Sequence, residues 1–280
     1  MTTRIQPQDK TVAVNGINLH YLDWGNVGQP AVLLVHGLRG HAHSWDDVSA
    51  ALCRDFHVLA LDQRGRGDSD WASDGDYSTN TYADDLEGFC RSLKLDRLIL
   101  VGHSMGGRNS MAFGGRCPEL LQKLVIVDIG PVGDPQGGQR ITQELSSVPE
   151  EFDSFEAVVE HMARQNRFAS DAVLRRRLQY ATRELPSGKI GWKYDLVTIR
   201  DQRRNGTGAP PVDLWPALSN IKCPTLIVRG AESDILSQDE TQRMLDTLAD
   251  AQVVEIPRAG HMVFEDNPQD FNAALSKFLS

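Results

Sequence analysis

The stretch Leu98-Ile99-Leu100-Val101-Gly102-His103-Ser104-Met105-Gly106-Gly107 is an apolar run ending in a serine that has a glycine two positions away on each side. It reads as a buried strand that delivers a candidate nucleophile into the start of a helix. Gly-x-Ser-x-Gly is the pattern of a turn too tight for side chains at the flanking positions, which lifts the serine hydroxyl clear of the sheet. The pattern also recurs by chance, so its context carries the reading: Arg97 to Val101 is β-rich, and Asn109 to Arg116 suits a helix.

The chain on either side repeats this strand-and-helix rhythm. Thr11 to Val14 and Ile17 to Leu22 alternate apolar and polar residues around Asn15-Gly16, a two-residue hairpin signal. Ala31-Val32-Leu33-Leu34-Val35 is a continuous apolar strand, as expected of one covered on both faces, and it ends in His36-Gly37-Leu38-Arg39-Gly40. Ser44 to Arg54 is expected as a helix with Ser44 at its N-cap. Phe56 to Leu61 is the next buried strand, closed by Asp62-Gln63-Arg64-Gly65-Arg66-Gly67-Asp68-Ser69, and Thr81 to Leu93 is a second helix. Beyond the serine, Leu124 to Val127 is a short strand that delivers Asp128-Ile129-Gly130-Pro131.

From about Val132 to Leu218 the character changes to charged, amphipathic segments, such as Phe155 to Gln165 and Ala172 to Glu184, with no strand-like apolar run. The strand rhythm then returns in Cys223 to Arg229 and Gln252 to Ile256, with helices over Asp239 to Leu248 and Pro268 to Leu279. Alternating strands and helices mean an α/β domain with a mostly parallel central sheet and helices on both faces. The expected organisation is one core made of residues 1–131 and 219–280, with residues 132–218 inserted as a helical cap.

Composition bounds the partners. With 280 residues and a formal net charge of −9, the chain does not present the basic face that nucleic acid or an anionic membrane selects. Cys53, Cys90, Cys117 and Cys223 are far apart and form no Cys-x-x-Cys pair, which suits buried thiols in a reducing compartment rather than a disulfide scaffold. The first ten residues lack the apolar core of a signal peptide, and no run reaches the length of a membrane span. The expectation is a soluble cytoplasmic protein; oligomeric state stays open.

Loops at the carboxyl ends of the strands of an open α/β sheet converge on one crevice. A serine hydroxyl there needs a base to take its proton and a carboxylate to hold that base in the right tautomer. His261, in Ala259-Gly260-His261-Met262 after the last strand, is the expected base. His103 is expected to face elsewhere and His36 to brace the backbone. A developing oxyanion needs two N–H donors, assigned to Met105 after the serine and Leu38 after His36-Gly37.

These motifs, Val35-His36-Gly37-Leu38, Asp62 to Ser69, Val101 to Gly107 and Ala259-Gly260-His261, resemble in identity and order those of α/β-hydrolase-fold serine hydrolases. The likeness runs from about Val12 to Leu279. It implies a Ser-acid-His triad, a lid between the sixth and seventh strands, and neither metal nor organic cofactor. It also disfavours dehalogenase and epoxide hydrolase chemistry, whose enzymes carry a carboxylate where Ser104 stands.

The acid departs from the common pattern. That pattern is Gly-x-x-Asp, and here it falls on Gly230-Ala231-Glu232-Ser233, with Asp234 one residue late. A shift of one residue redirects a side chain at a strand end. Val127-Asp128-Ile129-Gly130-Pro131 resembles a run that supplies the acid in a subset of the family. Asp128 is therefore the expected acid and Asp234 the alternative.

Arg39 beside the oxyanion loop would favour a substrate bearing a carboxylate. Arg140, Arg164 and Arg167 are further candidates, and Trp192, Trp215 and Met262 are candidate pocket-lining residues, with core packing as the alternative role. The expected activity is hydrolysis of a small carboxylic ester through an acyl-enzyme. Amide, lactone and carbon–carbon bond hydrolysis are alternatives on the same machinery, and a ligand receptor on a hydrolase scaffold is the rival of another class.

Overall fold

The computed structural model describes residues 5–164 and 168–280. Arg167 and the end of the expected helix at Gln165 lie outside the described residues. In chain order the first half holds β1 (Gln8–Val14), β2 (Ile17–Asp23), β3 (Ala31–Val35), α1 (Asp46–Leu52), β4 (His57–Leu61), α2 (Thr79–Ser92), β5 (Leu98–His103), α3 (Met105–Arg116) and β6 (Leu121–Val127). There follow α4 (Pro135–Ser147), β7 (Glu151–Phe152), α5 (Phe155–Ala163), α6 (Asp171–Ala181), β8 (Thr182–Glu184), β9 (Ile190–Trp192), α7 (Leu196–Asn205) and α8 (Trp215–Asn220). The chain closes with β10 (Thr225–Gly230), α9 (Gln238–Thr247), β11 (Ala251–Ile256), α10 (Val263–Asp266) and α11 (Pro268–Leu279).

Eight strands form one sheet in the order β1-β2-β4-β3-β5-β6-β10-β11. The pairs β1/β2 and β2/β4 are antiparallel, and every pair from β4 to β11 is parallel. The hairpin turns at Asn15 and Gly16, both at positive φ (+50° and +82°), with Val14 opposite Ile17. That is the backbone an Asn-Gly pair favours.

The continuous apolar strands are continuous because both faces are covered. Leu33, Val35, Leu59 and Leu100 pack on one side with Phe89, Met111 and Phe113; Val32, Leu34, Val58 and Val101 pack on the other with Trp45, Phe264 and Phe271. Burying each such side chain contributes roughly 1.5–3 kcal/mol. Parallel strands put β3, β5, β6 and β10 with their carboxyl ends on one edge, which gathers the loops after them.

Two expectations need correction. The segment from Ala42 to Leu52 begins as a 3-10 turn, Ala42–Trp45, and α1 starts only at Asp46. Ser44 is therefore not an N-cap; its Oγ accepts the backbone N–H of His41, 3.3 Å away. The stretch between β6 and β10 is also not purely helical, since β7, β9 and β8 form a small antiparallel sheet. The strands are two or three residues long, too short for an apolar period. β8 and β9 are joined by a turn over Leu185 to Lys189, with Gly188 at φ +77°. A core of Leu145, Phe152, Val158, Leu174, Leu178 and Trp192 holds this segment together, and Leu38 and Tyr77 of the main body pack against it.

Candidate active site

Ser104 sits between β5 and α3 at φ +53° and ψ −121°, a backbone that a side-chain-bearing residue adopts only under strain. The flanking glycines make that geometry possible. A Cβ at Gly102 would lie 2.4 Å from Ser110 Oγ, and one at Gly106 would lie 2.4 Å from the Val35 carbonyl oxygen. The Ser104 N–H donates to the Val127 carbonyl at 3.0 Å, tying the elbow to the neighbouring strand.

The serine meets its expected partners. His261 Nε2 lies 2.8 Å from Ser104 Oγ, and His261 Nδ1 lies 2.8 Å from Asp128 Oδ2. A carboxylate only accepts, so the ring proton belongs on Nδ1 and Nε2 is left free to accept from the serine. Asp128, at φ +52° directly after β6, is wholly buried. Its Oδ1 accepts the Gly230 N–H at 2.9 Å and its Oδ2 accepts the Ser233 hydroxyl at 2.5 Å. Asp234, the alternative acid, is bonded elsewhere: Arg140 Nε and Nη2 reach its two oxygens at 2.6 and 2.8 Å. The Arg140 guanidinium holds the Asp234 carboxyl below its ordinary range, against the opposing effect of burial.

Ser233, to which the sequence assigns no role, occupies the slot where the common pattern carries the acid and turns its hydroxyl onto Asp128, the expected acid. A hydrogen bond to a charged group contributes about 1.5–3 kcal/mol. Ser233→Ala should therefore lower kcat by about tenfold with little change in KM, as read from steady-state kinetics.

His103, expected to face elsewhere, lines the same cavity as Ser104 and serves the His261 loop. Its Nε2–H donates to the His261 carbonyl at 2.8 Å. Burial and the neighbouring His261 push its pKa well below the usual value, so it stays neutral. The loop is also held at Gly260, whose N–H donates to Asp266 Oδ2 at 2.9 Å; burial raises the Asp266 carboxyl to about 6. His36 braces the backbone as expected: its Nε2 accepts the Gln63 N–H at 3.0 Å, and burial lowers its pKa to about 4.

Leu38 and Met105 both lie beside Ser104 in the wall of one cavity. A residue that sequence reasoning passed over joins them. Arg66, 1% exposed, donates through Nε to the Leu38 carbonyl at 2.8 Å, and its Nη2 reaches Met105 Sδ at 3.8 Å. The Arg-x-Gly spacing of the loop after β4 was visible in sequence, but not the target of its side chain.

Two cavities adjoin Ser104. One, of about 540 Å³, is lined by Arg39, Arg140, Trp192, Met262 and His261 among others. The candidate cations there are engaged: Arg39 Nη2 bonds Glu144 Oε2 at 2.8 Å, and Arg140 Nη1 bonds Glu144 Oε1 at 2.5 Å. Trp192 Nε1 donates to the Pro149 carbonyl at 2.8 Å, so it serves packing as well as the cavity wall. Arg164 also lines this cavity and is exposed. The other cavity, of about 560 Å³, lies on the α3 side of the serine. No helix among the described residues is long and apolar enough to cross a membrane.

An eight-stranded, mostly parallel sheet with a serine elbow at the end of its central strand is matched by a sequence profile described as the alpha/beta hydrolase family, over residues 32–274. The chain belongs to the alpha/beta hydrolase family. At that level it is a hydrolase. It is similar to N-formylmaleamate deformylase of Pseudomonas putida, 31% identical over 278 residues covering 96% of this chain and 95% of that protein. An esterase of Mycobacterium tuberculosis is 30% identical over 254 residues, 89% of this chain and 82% of that one. Among solved structures, E-2-(acetamidomethylene)succinate hydrolase superposes with a TM-score of 0.88 at 26% identity, covering 98% of this chain and 99% of the other.

Proposed function

We propose that this alpha/beta hydrolase cleaves a small carboxylic ester through an acyl-enzyme. Ser104 Oγ attacks the carbonyl carbon while His261 Nε2 takes its proton, and Asp128 holds the imidazolium that results. The carbonyl oxygen, now an anion, receives the N–H groups of Leu38 and Met105. His261 returns the proton to the leaving alkoxide, and water repeats the sequence to release the acid and restore Ser104. The observation that carries this reading is the unbroken chain from Ser104 Oγ through the His261 ring to Asp128, each link at 2.8 Å. Residues 132–218 would act as the lid over the bond to be cleaved, with Arg39, Trp192 and Met262 on the substrate side of it.

An amide substrate is the second reading, favoured by the names of two relatives, a deformylase and an acetamidomethylene hydrolase. The same groups would serve it, with His261 protonating a leaving nitrogen. The ester reading expects a pre-steady-state burst of nitrophenol from p-nitrophenyl acetate that vanishes in Ser104→Ala. It expects slower cleavage of p-nitroacetanilide. Faster anilide than ester turnover would replace it with the amide reading, and the absence of any burst or turnover would leave the ligand-receptor alternative.

A further inference from the structure

The two cavities beside Ser104 differ in how their cations are used. In the first, Arg39 and Arg140 are bound to Glu144 and Asp234, and Arg177 to Glu265. The second is lined by Arg66, Arg108 and Arg203, with Asp134 as the only carboxylate in its wall among the described residues. None of these three arginines forms an ion pair among the described residues. Arg66 spends its donors on the carbonyls of Leu38, Arg64 and Gly65 and lies 5.3 Å from the Tyr77 ring centre. Arg108 bonds the Val132 carbonyl at 3.1 Å. Asp134 is itself occupied, with Oδ1 accepting the Gln136 N–H at the start of α4.

Three guanidiniums facing one cavity repel one another; Arg66 is buried, Arg108 is half-buried with the Glu240 carboxylate acting on it, and Arg203 is exposed, open to an incoming anion. A guanidinium's planar fork of donors matches a carboxylate. The position is also right. The Arg108 N–H bonds the Ser104 carbonyl, so Arg108 stands one helical turn beyond the serine on α3.

We propose that the second cavity is an anion subsite, in which Arg108 and Arg203 hold a carboxylate carried by the substrate group on the α3 side of the bond cleaved. Arg66 supplies fixed positive charge beneath it. The substrate class is then an ester or amide with one half ending in a carboxylate. This rests on Ser104 being the reacting serine, and it moves the carboxylate-binding role from Arg39, which Glu144 occupies, to the other side of the nucleophile.

The test compares p-nitrophenyl hemiglutarate with p-nitrophenyl pentanoate, which differ in the terminal charge. Wild type should prefer the hemiglutarate in kcat/KM. Arg108→Gln and Arg203→Gln should each reduce that preference about tenfold, the size of one charge-assisted contact, and Arg203→Glu should invert it. An unchanged ratio in both glutamine variants would overturn the subsite. Calorimetric binding of glutarate, uncharged glutaramide and inorganic phosphate to wild type and Arg203→Gln gives a readout without turnover. Glutarate should bind most tightly and lose affinity in the variant. Equal binding of glutarate and glutaramide would overturn the proposal, and tighter phosphate than glutarate would overturn its carboxylate assignment. If neither nitrophenyl ester is cleaved while glutarate binding still depends on Arg203, the failure lies in the hydrolytic reading and not in the subsite.

Discussion

Asp128→Asn should lower turnover by about four orders of magnitude, whereas Asp234→Asn should leave it near the wild-type value. The asparagine keeps the shape of the side chain but not its acceptor-only character. It lets the His261 ring settle with its proton on Nε2, facing a serine that then has nowhere to send its own. Asp234 makes its two bonds to Arg140 and none to the histidine. Steady-state kinetics on both variants, with melting temperatures alongside, separates a lost base orientation from a lost fold. A large loss in Asp234→Asn with normal activity in Asp128→Asn would reverse the assignment.

Asp62→Asn should destabilise the protein by about 3–5 kcal/mol, the cost typical of breaking a buried charge network. Asp62, 2% exposed, accepts the Ala42 N–H at 2.6 Å, the Asp68 N–H at 3.0 Å and His20 Nδ1 at 2.7 Å. Burial pushes its carboxyl up, but the His20 bond and the charges of His36, His20 and His41 outweigh it and hold the pKa at about 2. For His20 the burial effect is downward and the Asp62 bond reverses it, leaving the pKa raised.

The signs follow. A depressed carboxyl contributes stability above its ordinary value of about 3.8 that is lost as pH falls toward 2. A raised imidazole contributes stability below about 6.5 that is lost as pH rises through its folded value. The pair stabilises most between those ordinary values, and urea midpoints of wild type and variant should diverge most there. Equal midpoints at all pH values would contradict the network's role.

The network also shows where sequence reasoning stopped. Asp62 to Ser69 was legible as a motif because its glycines punctuate a strand end, but the bonds from Asp62 to Ala42 and His20 cross from one loop to another. No local pattern encodes such pairings. The parallel sheet was legible for the opposite reason, since runs such as Ala31 to Val35 and Leu98 to Val101 report their burial on both faces directly.

The same contrast holds in the site. Ser104 was legible because it ends a strand that the apolar pattern marks, and His261 because its glycine-containing loop follows the last strand, whereas Asp128 was preferred over Asp234, itself near a strand end, on a likeness to a subset of the family. Ser233, His103 and Arg66 act through a hydroxyl, a ring and a guanidinium reaching to other loops, so only the folded chain brings their partners into view. The small sheet of β7, β8 and β9 was invisible because strands of two or three residues carry no period.

Peptide mapping of the protein after reaction with a fluorophosphonate tests the central claim most directly. A single phosphonyl group on the peptide containing Ser104, formed far more slowly in Asp128→Asn, is the predicted result. Modification of a different residue, or labelling of Ser104 at the same rate when Asp128 is replaced, would contradict it.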